Sequence, residues 1–147
     1  MTVNFGLLGA GRIGKVHARA IRGNPDAALV AVADAIPAAA QSLAQGYGCE
    51  VRGIDQMAES PDIDAVVICT PTDTHADLIE QFTAAGKAVF CEKPIDLSVE
   101  RVKRCLRAVE ANGGTLMVGF NRRFDPDFMA VKSAIVGGHI GEVEMVT

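Results

Sequence analysis

The chain has 147 residues, 49% of them hydrophobic and 22% charged, which is apolar enough for one packed domain and excludes a disordered chain. The formal net charge is -4, and no run of Lys or Arg is dense enough to follow a phosphate backbone, so nucleic acid is not the expected partner. The opening MTVNFGLLGAGRIG has no basic stretch ahead of an apolar one, so neither a signal peptide nor a membrane span is expected.

In chain order, the apolar run Val3–Leu8 predicts a strand and leads into Gly9-Ala10-Gly11-Arg12-Ile13-Gly14. A helix follows, because Ile13, Val16, His17, Ala20 and Ile21 repeat at helical spacing and mark one apolar face. Leu29–Ala33 predicts the second strand, ending on Asp34, and Ala38-Ala39-Ala40 reads as helix filler. Cys49–Arg52 is a weaker edge strand. The run Ala65–Cys69 predicts another strand; Thr74-His75-Ala76-Asp77 then fits a capping box ahead of Leu78, Ile79 and Phe82. Ala88–Cys91 leads into Glu92-Lys93-Pro94. Val99, Val102, Cys105, Leu106 and Val109 mark a further helix, with Ser98 as N-cap and Gly113 as stop. Leu116–Gly119 is the last of these strands.

The strand runs lack period-two alternation, which suits a parallel sheet covered on both faces. Alternating with helices, they predict an α/β fold, a doubly wound parallel sheet of strand order 3-2-1-4-5-6. After Gly119 the pattern changes: a polar loop over Asn121–Pro126, a helix over Asp127–Val136, a glycine-rich turn holding His139, and an alternating segment Glu142–Thr147 that reads as a strand without a sheet. The expectation is a dinucleotide-binding domain over residues 1–121. Residues 122–147 would be a linker helix and first strand of a C-terminal α/β substrate domain missing from this chain, itself the N-terminal part of a longer protein.

The chemistry sits at the strand ends. In Gly9-x-Gly11-x-x-Gly14 the first glycine allows a tight turn, the second lets backbone approach a pyrophosphate, and the third lets helix and strand pack closely. The positive end of the helix then faces the phosphates. Asp34 lies twenty residues after Gly14, where a carboxylate accepts hydrogen bonds from adenosine ribose hydroxyls and repels a 2′-phosphate. Ala35-Ile36-Pro37 offers no cation for that phosphate, so NAD is expected over NADP. Asp34 as a helix N-cap is compatible with that role. Thr70 and Thr72 face the same cleft from the loop after the fourth strand, while His75 reads equally as a cap or a cleft residue. Lys93, held extended by Pro94, would point towards the nicotinamide and could stabilise a developing alkoxide. His17 reads as a packed, hydrogen-bonded residue and His139 as structural or exposed. Cys49, Cys69, Cys91 and Cys105 form no C-x-x-C pair; they are expected to be buried, reduced thiols of a cytoplasmic protein, with no metal site.

GAGRIG, CTPTDTH, EKP and GFNRRFDP together resemble the glucose–fructose oxidoreductase / inositol dehydrogenase family (Gfo/Idh/MocA), over essentially the whole chain. Within it, AVFCEKPIDL and GFNRRFDPDF are most similar to the branch that oxidises inositol at carbon 2. The resemblance implies a Rossmann NAD(P)-binding domain in a homo-oligomeric enzyme, tetramer or dimer, that moves a hydride from a secondary hydroxyl of a cyclic polyol or sugar, such as myo-inositol to scyllo-inosose. It implies Lys93 as the catalytic lysine and Gly9, Gly11, Arg12, Ile13 and Gly14 as the phosphate loop. Asp34 would hold the ribose, and Thr70, Thr72, His75, Glu92 and Asn121 would line the cofactor cleft, with Arg122 and Arg123 at the domain junction. The family's general base is the histidine of an Asp-x-x-x-His motif in the second domain. No such motif follows residue 120, so this chain is expected to bind cofactor without turning over. Two other readings stay open: a relative acting on another sugar or using NADP, and a non-catalytic dinucleotide-binding module.

Overall fold

The computed structural model describes residues 2–145. In order, its elements are β1 (Val3–Leu8), α1 (Arg12–Gly23), β2 (Ala27–Ala33), α2 (Pro37–Tyr47), β3 (Glu50–Val51), α3 (Ile54–Glu59), β4 (Ala65–Ile68), α4 (Thr72–Ala84), β5 (Ala88–Cys91), α5 (Val99–Ala111), β6 (Leu116–Val118), a 3-10 turn (Asn121–Phe124) and α6 (Pro126–Val136). The six strands form one sheet in the order β3-β2-β1-β4-β5-β6, and every neighbouring pair is parallel. This is the doubly wound order expected from the alternation of runs and helices.

Successive strand residues point to opposite faces, and here both faces are covered. Leu7 and Val67 join a cluster with Ala18, Ile21 and Leu43 of α1 and α2. Their neighbours Leu8 and Val66 join the other cluster, with Met57, Ile79 and Phe82 of α3 and α4. A strand buried on both sides therefore has no reason to alternate. No helix among the described residues is long and apolar enough to cross a membrane.

Beyond its strand, each loop at the carboxyl edge is tied to the neighbouring strand. Gly9 N donates to Ala33 O (2.8 Å), Cys69 N to Leu8 O (2.7 Å), Glu92 N to Ile68 O (3.0 Å) and Gly119 N to Cys91 O (2.8 Å). These bonds set the loops carrying the candidate site residues side by side.

Four expectations need correction. On α1 the buried line is Gly14, Ala18 and Ile21, while Val16 is 57% exposed and Ala20 is exposed too. Close packing against the sheet selects the smallest side chains, so the face is rotated from the one marked by large apolar residues. On α5, Cys105 and Val109 are buried but Val99 and Leu106 are exposed. The capping box at Thr74 does not form: α4 begins at Thr72, after Pro71, with no side-chain cap. Proline stops the helix from extending further back, and the start lies three residues earlier than a Thr74 cap implies; the Thr74 hydroxyl instead lies 2.7 Å from both the Pro71 carbonyl and the Thr70 hydroxyl. Finally, residues 142–145 of the expected Glu142–Thr147 segment are not a strand, and Val146 and Thr147 lie outside the described residues.

Ser98 caps α5 as expected, its Oγ accepting from Arg101 N, and Gly113 follows the helix at φ +61°. Asp125 caps α6 by accepting from Asp127 N and Phe128 N, yet α6 buries none of its residues.

Candidate functional site

The glycine turn is shaped by contacts that no side chain could share. Gly9 sits at φ +99°, and a Cβ there would stand 2.7 Å from Cys69 O; a Cβ on Gly14 would stand 1.9 Å from Gly9 O. Gly11 is different, because a Cβ there would meet nothing within 4 Å. Its demand for glycine comes from outside the fold, which fits the close approach of a ligand. The first helical bond of α1 runs from Lys15 N to Gly11 O (3.0 Å), so the amides of Arg12, Ile13 and Gly14 precede it. No side chain caps them and no acidic residue occupies the first turn. That donor set fits a diphosphate. Arg12 is exposed at its edge and Ile13 is half-buried.

Asp34 stands at the end of β2 beside this turn. Its Oδ2 accepts from Ala10 N (2.6 Å) and its Oδ1 from Ile36 N (2.7 Å). The carboxylate thus fixes both the glycine turn and its own loop, and a carboxylate has lone pairs left for ribose hydroxyls. The N-cap of α2 is Ile36, so Asp34 is not the cap.

Asp34 and Thr70 both line a cleft of about 770 Å³ at the carboxyl edge of the sheet. Its walls are largely apolar, with Leu8, Ala33, Ala40, Ile54 and Leu78 among them, which suits an aromatic base. Thr74, Asp73 and Asp77 also reach it, whereas Thr72, half-buried at the helix start, does not. Among its described lining residues Arg52 is the one cation, and it is already engaged. Arg52 donates to both Asp62 oxygens (2.9 Å each) and to Glu50 (2.9 Å). Those hydrogen bonds, Asp62 first, push the guanidinium further up, and the same pairing holds the Asp62 carboxyl below its ordinary value. Sequence reasoning missed this role; the signal was a basic residue at the carboxyl end of the weak edge strand.

A second cleft, of about 390 Å³, is lined by Lys93, Phe120, Asn121, Arg122 and Arg123. Lys93 is exposed there, two residues past the end of β5, and the peptide joining it to Pro94 is cis. Its neighbour Glu92 turns back into the domain, where its Oε1 lies 2.7 Å from His17 Nε2. The His17 ring also packs at a tilt against Phe90, centroids 5.0 Å apart. His17 is thus packed and hydrogen-bonded, as its place on α1 implied. His75 is 2% exposed and is not among the described lining residues of either cleft; each of its ring nitrogens lies within 2.8 Å of a carbonyl oxygen. His139 is exposed, remote in sequence from these loops.

All four cysteines are free. Cys91 and Cys105 are buried and Cys49 and Cys69 half-buried, so only half of the expected burial is realised. Burial pushes the Cys69 and Cys91 thiols up to about 12 and raises the other two less.

Fold and site together define a dinucleotide-binding domain of the Rossmann type. The pattern of the oxidoreductase family with an NAD-binding Rossmann fold matches residues 3–120. The chain belongs to that family, Gfo/Idh/MocA. It is 72% identical over 147 residues to an inositol 2-dehydrogenase of Rhizobium meliloti (strain 1021), covering all of this chain and 44% of that protein. The scyllo-inositol dehydrogenase of Lactobacillus casei, crystallised with NAD(H) and scyllo-inositol, superposes with a TM-score of 0.91 at 35% identity, over 97% of this chain and 43% of that one. A myo-inositol dehydrogenase of Corynebacterium glutamicum does so with a TM-score of 0.90 at 43% identity, over 98% and 44%. The chain therefore spans less than half the length of these relatives.

Proposed function

We propose that this chain is the cofactor-binding part of an NAD-dependent dehydrogenase that oxidises a secondary hydroxyl of a cyclic polyol, inositol in particular. The observation that carries the reading is the row of loops along one sheet edge: Asp34 after β2, bonded to the glycine turn, and Lys93 exposed three strands away after β5. The inositol specificity is supported by the relatives, whose names record inositol as substrate.

Bound NAD supplies the hydride acceptor. Gly11 and the amides of Arg12, Ile13 and Gly14 would hold its diphosphate, and Asp34 its adenosine ribose. With the Arg52 guanidinium occupied, the described residues lining this cleft offer no free cation for a 2′-phosphate, which supports NAD over NADP. Thr70, Thr72, Glu92 and Asn121 are assigned to the surroundings of the cofactor; His75 is buried and is not among the described lining residues. Lys93 is assigned the substrate: its ammonium donates to the reacting hydroxyl and stabilises alkoxide character as the proton leaves. The proton acceptor is assigned to a second domain, since residues 121–147 hold no Asp-x-x-x-His.

Residues 1–121 form the dinucleotide domain in this reading, and 122–147 begin the substrate domain. The exposed apolar side chains of α6, Phe128, Met129, Val131 and Val136, support that division, because an apolar helix face normally packs against something. Free thiols fit a reducing compartment, the cytoplasm; the homo-oligomeric state rests on the family resemblance alone.

Parallel calorimetric titration of the chain with NAD and NADP tests the cofactor assignment. Tighter binding of NAD supports it, and a well-folded chain that binds neither overturns it. For the whole protein, inositol-dependent formation of NADH that disappears in Lys93→Ala tests the rest.

A further inference from the structure

The loop that carries Lys93 is anchored by few bonds. Glu92 N still belongs to the sheet ladder through Ile68 O. Among the described residues, no backbone–backbone hydrogen bond reaches Lys93, Pro94 or Ile95, and the next one begins with α5 at Ser98. Ile95 is buried, 8% exposed, and weighs the loop down on the apolar core. Among the described residues, the polar contact that reaches the Lys93–Ile95 stretch from another element is the one His75 makes; the His17–Glu92 contact lies just before that stretch. Its Nδ1 lies 2.7 Å from the carbonyl oxygen of Pro94, the residue bonded to Lys93. Its Nε2 lies 2.8 Å from the carbonyl oxygen of Thr70 in the loop after β4. The ring is 2% exposed, so no water replaces either bond.

Both partners are carbonyl oxygens, which only accept. A nitrogen bonded to either must therefore carry a proton. The neutral ring serves one of the two, and the imidazolium serves both. Burial of such a ring among apolar neighbours is costly unless its N–H groups are used, so the geometry has a function to explain.

We propose that His75 is the positioning residue of Lys93: its Nδ1–H ties the Lys93–Pro94 turn to α4, and in the imidazolium form its Nε2–H also holds the Thr70 loop that leads into α4. It acts through the backbone of Pro94 and touches neither cofactor nor substrate. This rests on the reading of Lys93 as the residue over the bound nicotinamide. It makes the T-P-x-x-x-H and E-K-P segments one unit, with the histidine of the first setting the place of the lysine of the second.

The test uses the 147-residue chain in two measurements. The first is the nitrogen spectrum of ¹⁵N-histidine-labelled chain at neutral pH, with His75 assigned by His75→Asn. A protonated Nδ1 is expected, whether or not Nε2 is also protonated; a bare Nδ1 removes the bond to Pro94 and overturns the proposal. The second follows Lys93 itself, as the ¹³C-dimethyl-lysine resonance that Lys93→Arg deletes. In the parent chain, NAD should shift that resonance. His75→Phe keeps the ring volume without donors, and the shift should be lost. His75→Asn places an amide N–H near the Nδ1 position and should restore it. His75→Gln places one near the Nε2 position and should not. A parent-like shift in His75→Phe, or equal rescue by Asn and Gln, overturns the proposal. If His75→Phe fails to fold, the Asn and Gln pair and the nitrogen spectrum still decide. A parent chain that binds no NAD at all counts against the proposed function instead, and the state of Nδ1 is read regardless.

Discussion

Gly14 lies so close to Gly9 that a Cβ on Gly14 would stand 1.9 Å from the Gly9 carbonyl oxygen. The obstacle is backbone, inside a turn already at φ +99°, so it cannot swing aside. Overpacking costs about 1–3 kcal/mol where neighbours can give way; Gly14→Ala is expected at or above the top of that range. Gly11→Ala meets nothing within 4 Å and its φ of -72° suits alanine. Its stability should stay within roughly 1 kcal/mol of the parent, while NAD affinity falls at least about tenfold, or 1.4 kcal/mol. Thermal melts with calorimetric NAD titration separate the two. A Gly11→Ala chain that binds NAD like the parent would refute the ligand-driven reading of that position.

Asp34 joins structure and selectivity in one carboxylate. Asp34→Ala removes the acceptors of Ala10 N and Ile36 N and should lower the melting temperature as well as NAD affinity. Asp34→Asn keeps one oxygen for the local turn but loses the charge. Repulsion between two unit charges 4 Å apart ranges from about 1 kcal/mol in water to about 4 kcal/mol near a protein surface. Its removal should therefore lower the preference for NAD over NADP by at least about fivefold. Adding Asp62→Asn and Glu50→Gln frees the Arg52 guanidinium and should improve NADP binding further. An unchanged preference in the triple variant would mean that the ribose lies elsewhere.

Why these features differ in legibility is a matter of range. Local ones were readable: the glycine turn, Asp34 at a strand end, Ser98 three residues before the amide it caps. The strand runs were readable because burial on both faces removes alternation, as Leu7 and Leu8 illustrate by entering opposite clusters. Pairings between distant segments were not. His17 and Glu92 are separated by 75 residues, and His75 meets a carbonyl 19 residues away. Nothing in the neighbourhood of either histidine announces its partner. The α1 face was misplaced for a different reason, since hydrophobic periodicity favours Val16 whereas close packing favours Gly14 and Ala18.

The thiols carry a pH prediction. Burial raises Cys69 and Cys91 from 9.0 to about 12 in the folded chain. At pH 8 only about one molecule in ten thousand would carry either thiolate, so iodoacetamide should label both slowly until the chain is unfolded. A raised folded value means that the stability contributed by the neutral thiols is complete below the unfolded value. It is lost as pH rises from about 9 towards about 12. Denaturant midpoints measured across the alkaline range should fall, and fall less in Cys91→Ala relative to its own value at pH 7. Rapid labelling of folded chain at pH 8 would contradict the burial of these groups.

The contact between His17 and Glu92 links the helix that opens at the glycine turn to the residue before Lys93. Either protonation state of the ring can make it, because a neutral imidazole donates from Nε2 as well as an imidazolium does. Both side chains are mostly shielded, with 21% and 25% of their surface exposed, so solvent does not fully replace the bond. A hydrogen bond to a charged group contributes about 1.5–3 kcal/mol net and a neutral one about 0.5–1.5 kcal/mol, so the charge on Glu92 accounts for about 1 kcal/mol of it. His17→Phe keeps the ring against Phe90 but cannot donate, and Glu92→Gln keeps the shape but removes the charge. If the two residues act as a pair, the double variant should be more stable than the sum of single losses predicts, by about 1 kcal/mol. Urea unfolding of the four chains measures the coupling. Additive losses would mean that the two side chains are neighbours without a shared energy, and that α1 and the Lys93 loop are held in place independently.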